Sequence, residues 1–168
     1  MARVGIVYGS TTGNTRDVSV KLQRLIGEEQ SDLIDVTETD TTTLSRYDRL
    51  IFAVSTWGAG DLQDDWEAFY PELKKMDFTG KTVAIMGLGD QVNYPEAFAD
   101  AVAILADVVT SGGGRVVGHT STEGYTYTVS KAERDGRFLG LVIDEDNQGS
   151  LTDQRLKDWV SRLRKELK

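Results

Sequence analysis

The chain has 168 residues, no cysteine, one histidine, and 27 acidic against 19 basic side chains, a formal net charge of −8. That length suits one domain with a sizeable core, and the missing thiols exclude disulfides, thiolate metal sites, iron–sulfur ligation and cysteine nucleophiles. The negative balance argues against nucleic acid. His119 alone cannot build a histidine metal cluster or a Ser-His-Asp triad, and no stretch is apolar enough for a bilayer span or a secretory leader, so a cytoplasmic location is expected.

Taken in chain order, Val4-Gly5-Ile6-Val7-Tyr8 reads as a first strand. It leads into the loop Gly9-Ser10-Thr11-Thr12-Gly13-Asn14-Thr15 and a helix with the stripe Val18, Leu22, Leu25, Ile26. A second apolar run covers residues 32–36 and a third covers 50–54. The third runs into Ser55-Thr56-Trp57-Gly58-Ala59-Gly60-Asp61 and a helix striped by Trp66, Phe69, Tyr70 and Leu73. A fourth run, Thr82–Leu88, ends in Gly87-Leu88-Gly89-Asp90-Gln91-Val92-Asn93-Tyr94-Pro95. Phe98, Ala101, Val102, Leu105 and Val109 mark the next helix, which Gly112-Gly113-Gly114 can end with positive φ.

Two strand-like runs, 115–118 and 138–143, flank a polar stretch of about 119–137 that is too long for an ordinary connection. The simplest account is a fifth strand split by an insertion, which serves either as a flap over the sheet edge or as a partner-docking surface. His119 reads as a surface or strand-end residue. Leu156, Trp159, Val160 and Leu163 stripe the last helix, with Thr152 or Ser150 as its cap and Asp153 in its first turn.

Strands alternating with helices predict an α/β fold: a doubly wound, five-stranded parallel sheet of order 2-1-3-4-5, one domain over 1–168. In such a sheet the loops after strands 1, 3 and 4 converge at the carboxyl ends. The first places four hydroxyls and two glycines at a helix N-terminus, a cradle for an anion or simply a turn capped by Ser10 or Thr12. Neither a G-x-G-x-x-G fingerprint nor a Gly-Lys-Thr ending is present. The other two loops each set an aromatic, Trp57 or Tyr94, beside glycines. Each aromatic is either a packing residue or half of a sandwich for a planar ring. Together the loops describe a site for a phosphorylated aromatic cofactor.

These residues resemble the flavodoxin family. Ser10-Thr11-Thr12-Gly13-Asn14-Thr15 matches its phosphate loop. Thr56-Trp57 with Gly60-Asp61-Leu62-Gln63-Asp64-Asp65-Trp66 is similar to its first flavin loop and following helix, and Gly87-Leu88-Gly89-Asp90-Gln91 with Tyr94-Pro95 to its second. Thr122-Glu123-Gly124-Tyr125, Asp135-Gly136-Arg137-Phe138 and Asp144-Glu145-Asp146-Asn147-Gln148 resemble the long-chain class, which carries a split fifth strand. Ser55 stands where many relatives have proline, Asn93 where glycine is common, and Asn14 where some have lysine.

The resemblance implies a flavodoxin-like fold and non-covalently bound FMN. Ser10, Thr11, Thr12, Gly13, Asn14 and Thr15 would hold the phosphate, and Trp57 and Tyr94 would flank the isoalloxazine. Ser55, Thr56, Gly58, Ala59, Gly60, Leu88, Gly89 and Asp90 would line the ring and ribityl chain, with Phe98 and Asp146 as peripheral neighbours. Gly58 would let the Gly58–Ala59 peptide turn toward the flavin N5. The implied role is a monomeric, low-potential one-electron carrier. It shuttles between a reductase and acceptor enzymes through an acidic surface, with no catalytic residue and no metal. An FMN-dependent quinone reductase of related fold is the alternative.

Overall fold

The apolar runs are buried on both sides, and the two-residue period of a strand sends alternate side chains to opposite faces. The computed structural model describes residues 3–167. β1 (Val4–Tyr8) is followed by α1 (Asn14–Ile26), β2 (Ser31–Asp35), a single turn α2 (Thr41–Leu44) and β3 (Arg49–Trp57). β4 (Asp61–Leu62) folds back on the end of β3; α3 (Asp64–Leu73), β5 (Thr82–Leu88), α4 (Ala101–Ser111) and β6 (Arg115–Val117) follow. β7 (Thr120–Ser121), β8 (Glu133–Arg134) and β9 (Arg137–Phe138) precede β10 (Leu141–Ile143), α5 (Glu145–Gln148) and α6 (Thr152–Glu166).

The main sheet runs β10-β5-β3-β1-β2, all parallel, with β6 also on β5. β6 pairs with residues 82–84 of β5 and β10 with residues 86–88, on the same edge. The fifth strand is therefore split, as the sequence predicts, and the order is 2-1-3-4-5. Along β3, Leu50, Phe52 and Val54 join one core with Trp66 and Leu73 of α3 and Val102, Leu105 and Val109 of α4. Ile51 and Ala53 join the other, with Val18 and Leu22 of α1 and Leu156, Trp159, Val160 and Leu163 of α6. Helices thus cover both faces of the sheet.

The extent of the last strand and the cap of α6 differ from expectation. Residues 138–143 are not one strand: Phe138 belongs to β9, in a separate antiparallel sheet of order β7-β9-β8, and only Leu141–Ile143 rejoins the main sheet. Gly140 makes the crossing, because a Cβ there would overlap the Ile85 carbonyl oxygen of β5. The insertion is consequently folded. Asp135 and Gly136 both take positive φ, 55° and 78°, and close the β8–β9 hairpin as a two-residue turn. Neither Ser150 nor Thr152 caps α6: a 3₁₀ turn runs straight into it, and the Thr152 hydroxyl is buried without a partner. Of the three glycines after α4, Gly113 alone has positive φ, 91°. His119 sits half-buried between β6 and β7, where its carbonyl accepts a bond from Arg162 (3.1 Å).

At the amino ends of the strands, Arg3 Nε donates to both oxygens of Asp32 (3.1 and 3.0 Å), and the Tyr47 hydroxyl donates to the same carboxylate (2.6 Å). The Arg3 bond holds Asp32 below the usual carboxylate range, against burial and together with Tyr47. A carboxyl with a lowered folded-state pKa stabilises the fold above its unfolded value, near 3.9, and loses that contribution as pH falls through the folded one. Asp32→Asn should therefore lower the melting temperature at neutral pH and shallow its fall below about pH 4. Parallel melting curves for the two proteins across that range would contradict this.

A cleft at the carboxyl ends of the strands

β1 and β3 are neighbours whose connections leave in opposite directions, so the loops that follow them part and open a crevice. The cleft there has a volume of about 370 Å³ and is lined by Thr12, Asn14, Thr15, Ser55, Thr56, Trp57, Gly58, Leu88, Gly89, Asp90, Tyr94, Ala97, Ala99, Glu145 and Asp146. This is the size range of small-molecule sites.

The first loop divides its four hydroxyls between two tasks. Ser10 Oγ accepts from Gly13 N–H (3.0 Å), and Thr11 Oγ1 accepts from Gln63 Nε2 (2.9 Å). Both shape the loop, and neither residue lines the cleft. Thr12 and Thr15 do face it, Thr15 being buried with its hydroxyl 3.4 Å from that of Ser55. Neither Ser10 nor Thr12 caps α1: the cap is Gly13, at φ 95°, with no side-chain bond. The first N–H to bond back into the helix is that of Asp17, to Gly13 O (2.9 Å), which leaves the N–H groups of residues 14–16 directed out of its end. No cationic side chain is among the described residues that line the cleft. The site therefore presents neutral donors and the positive end of a helix, which suits a phosphate ester.

The second loop is a hairpin, with Thr56 opposite Leu62 and Trp57 opposite Asp61. Gly58 and Gly60 take φ of 54° and 110° in its three-residue turn, where a side chain would be strained. Gly60 also packs close to Asp100, whose Oδ2 would lie 2.7 Å from a Cβ there. Burial pushes the Asp100 carboxyl up, against the hydrogen bond and charge of Lys131. Ala59 and Gly60 stay outside the lining. Thr56 reaches across to the third loop, its hydroxyl accepting from Ala101 N–H (3.0 Å) at the start of α4.

Trp57 and Tyr94 are 37% and 51% exposed, and both line the cleft. Open aromatic faces lining one cleft can stack on a planar partner. Phe98 is different. It is fully buried and packs on Tyr125, Tyr127 and Phe138 beneath the third loop, away from the cleft. Ala97 and Ala99 line the cleft in its place.

The mouth is acidic. Burial works to raise Asp90, but bonds from the Asn93 backbone, the Asn147 and Asn93 side chains and the Val92 backbone outweigh it, and the carboxyl lies below the usual range. Asp146 is pushed up by burial and by the charges of Asp90, Asp144 and Glu145. Asp144 is fully buried and accepts from the Gln91 backbone and side chain (3.1 and 2.8 Å) and from the Asn147 backbone (3.0 Å).

Sequence reasoning missed Ala97, Ala99 and Glu145 in the lining, and Gln63 and Gln91 behind it. Gln63, fully buried, accepts from Asp65 and Trp66 N–H (3.2 and 3.4 Å) while binding Thr11, so it ties the first loop to α3. Nothing in the spacing of a glutamine announces such a bridge.

Doubly wound topology, a donor-rich helix end and two open aromatic side chains at the switch point define a nucleotide-binding α/β protein of the kind that takes a flat, singly phosphorylated ligand. A family model described as Flavodoxin matches residues 6–159. The flavodoxin of Picosynechococcus sp. is 46% identical over 165 residues, covering 98% of this chain and 97% of its own. Flavodoxin 1 of Azotobacter vinelandii is 44% identical over 170 residues, with 99% and 98% covered. A crystal structure of Fusobacterium nucleatum flavodoxin bound to flavin mononucleotide superposes with a TM-score of 0.95 at 33% identity, covering 100% of both chains. The chain belongs to the flavodoxin family.

Proposed function

We propose that this chain, a single domain over 1–168, binds FMN non-covalently in the cleft and carries single electrons between other redox proteins. The observation behind it is the pairing, across one cleft, of an uncharged donor cradle with two half-exposed aromatic side chains. FMN supplies the redox chemistry when bound.

Thr12, Asn14 and Thr15 give the phosphate hydroxyl, amide and helix-end donors, while Ser10, Thr11 and Gly13 hold the loop in shape. Trp57 and Tyr94 take the ring between them, and Ser55, Thr56, Gly58, Leu88, Gly89 and Asp90 present short side chains and backbone along its edge. Ala59 and Gly60 complete the hairpin turn that lets the Gly58–Ala59 peptide reorient. Asp146 flanks the mouth. Donor and acceptor proteins approach through the acidic surface, basic partners being drawn in by charge, and the carrier works as a cytoplasmic monomer. Titrating the apoprotein with FMN tests the reading. One equivalent should quench tryptophan fluorescence, and quenching should be smaller in Trp57→Phe. No saturable quenching would refute it.

The acidic residues of the hairpin and α3 make the site a poor place for added negative charge. Three carboxylates at roughly 10 Å cost the extra charge about 1 kcal/mol in total, or about 40 mV. Replacing Asp61, Asp64 and Asp65 together by asparagine should raise the second one-electron potential by about that amount at low salt, and by less as ionic strength rises. A potential that stays still or falls would reject this account of a low-potential carrier.

A further inference from the structure

Asp90 lines the cleft, and each oxygen of its carboxylate is taken by the amide of an asparagine. Asn93 Nδ2 donates to Oδ2 (2.7 Å) and Asn147 Nδ2 to Oδ1 (2.8 Å), while the N–H groups of Val92 and Asn93 also reach Oδ1 (3.1 and 2.9 Å). Asn147 comes from α5, and the same amide nitrogen lies 3.0 Å from both oxygens of Asp144. An amide oxygen in its place would face carboxylate oxygens alone, so the nitrogen points inward.

The surroundings work against a charge on Asp90. Glu145 and Asp146 of α5 line the same cleft, and Asp144 is fully buried just after β10. Burial pushes Asp146 up, and so do the charges of Asp90, Asp144 and Glu145. Behind Asp144, burial raises the Tyr125 phenol to about 12, the Asp144 charge adding to the effect and that of Arg155 opposing it. The Arg155 guanidinium of α6 lies over the Tyr125 ring, 4.1 Å from its centroid. A carboxyl crowded by other carboxylates tends to keep its proton. Burial does push Asp90 up, yet the bonds from Asn93 N–H, the Asn147 and Asn93 amides and Val92 N–H bring it below the usual carboxylate range.

We propose that Asn93 and Asn147 are positioning residues that clamp Asp90 in its charged form at the cleft, so that a second electron enters the flavin without a proton entering this carboxyl. The inference rests on the FMN reading above. Negative charge added in the cleft raises the pKa of every carboxyl near it. A carboxyl already above its usual range would then take up a proton, and the potential would rise as pH falls. One held below that range stays charged, and the potential is insulated from pH at this position.

Two titrations test the clamp. Both asparagines are exposed, so replacing them leaves the core untouched. In the first, carbon-13 NMR follows the Asp90 carboxyl of the flavin-free full chain. Asn93→Ala with Asn147→Ala should raise its midpoint by about one pH unit over the wild type, and each single variant should raise it by less. In the second, the second one-electron potential of the flavin-loaded proteins is measured between about pH 5 and 8. The double variant should match the wild type at the alkaline end, where Asp90 is charged in both, and climb more steeply as pH falls. Adding Asp90→Asn to the double variant should remove the extra slope. A merely structural role would lower the melting temperature or weaken FMN and leave the pH dependence alone. An unmoved Asp90 midpoint, an unchanged pH slope, or a steeper slope that survives Asp90→Asn would overturn the proposal. Wild-type protein that takes up no flavin would instead refute the FMN reading, and the carboxyl titration judges the clamp without it.

Discussion

Thr15→Val should weaken FMN by roughly 10- to 150-fold and leave riboflavin binding unchanged. The substitution is nearly isosteric and removes one hydroxyl. That hydroxyl belongs to a buried residue, faces the cleft and has no nearer protein partner than Ser55 Oγ at 3.4 Å. A hydrogen bond to a charged group contributes about 1.5–3 kcal/mol, which sets the range. With no lysine or arginine in the lining, no cation compensates. Thr11→Val should cost FMN less, because the Thr11 hydroxyl is already engaged by Gln63. Isothermal titration of both apoproteins with FMN and riboflavin measures the two effects. Equal losses for the two flavins in Thr15→Val would place that hydroxyl away from the phosphate.

Gly140→Ala should destabilise the protein by about 3 kcal/mol or more. The added methyl would meet the carbonyl oxygen of Ile85 in the middle of β5, a backbone atom that cannot turn aside. Either β10 moves off its pairing with β5 or the insertion shifts as a body. Overpacking against rigid backbone is among the costlier single changes. Gly136→Ala offers a control: it has positive φ but open space around the missing side chain, so its cost should be near 1 kcal/mol. Urea unfolding of the two apoproteins compares them, and a smaller loss for Gly140→Ala than for Gly136→Ala would contradict the clash.

The parts of the fold that a sequence can announce are those with long periods. β1 and β5 begin and end where their apolar runs do, and the four helical stripes all pack inward. β2 begins one residue early and ends one early, because Asp35 turns its carboxylate onto Thr37 N–H and starts a 3₁₀ turn at Val36. β3 outlasts its apolar run by three residues because β4 pairs with its polar end. Two-residue strands such as β4, β7, β8 and β9 have no period to read, and Asp135-Gly136 is the one local signal that the insertion is folded.

The site divides in the same way. Residue types at a helix N-terminus made the cradle legible, and the two aromatic side chains stand where the loops after strands 3 and 4 must meet. What the sequence left ambiguous was the division of labour. Which hydroxyls face the cleft depends on Gln63, and whether Phe98 faces ligand or core depends on Tyr125, Tyr127 and Phe138, residues 27 or more positions away.

A flavin in the cleft that takes electrons one at a time leaves its mark on the visible spectrum. The most direct measurement is the absorption spectrum of the purified protein during stepwise anaerobic photoreduction. The expected result is the spectrum of a tightly bound flavin, one per chain, reduced in two well-separated one-electron steps. A colourless protein indifferent to added FMN, or a bound flavin reduced in a single two-electron step, would contradict it.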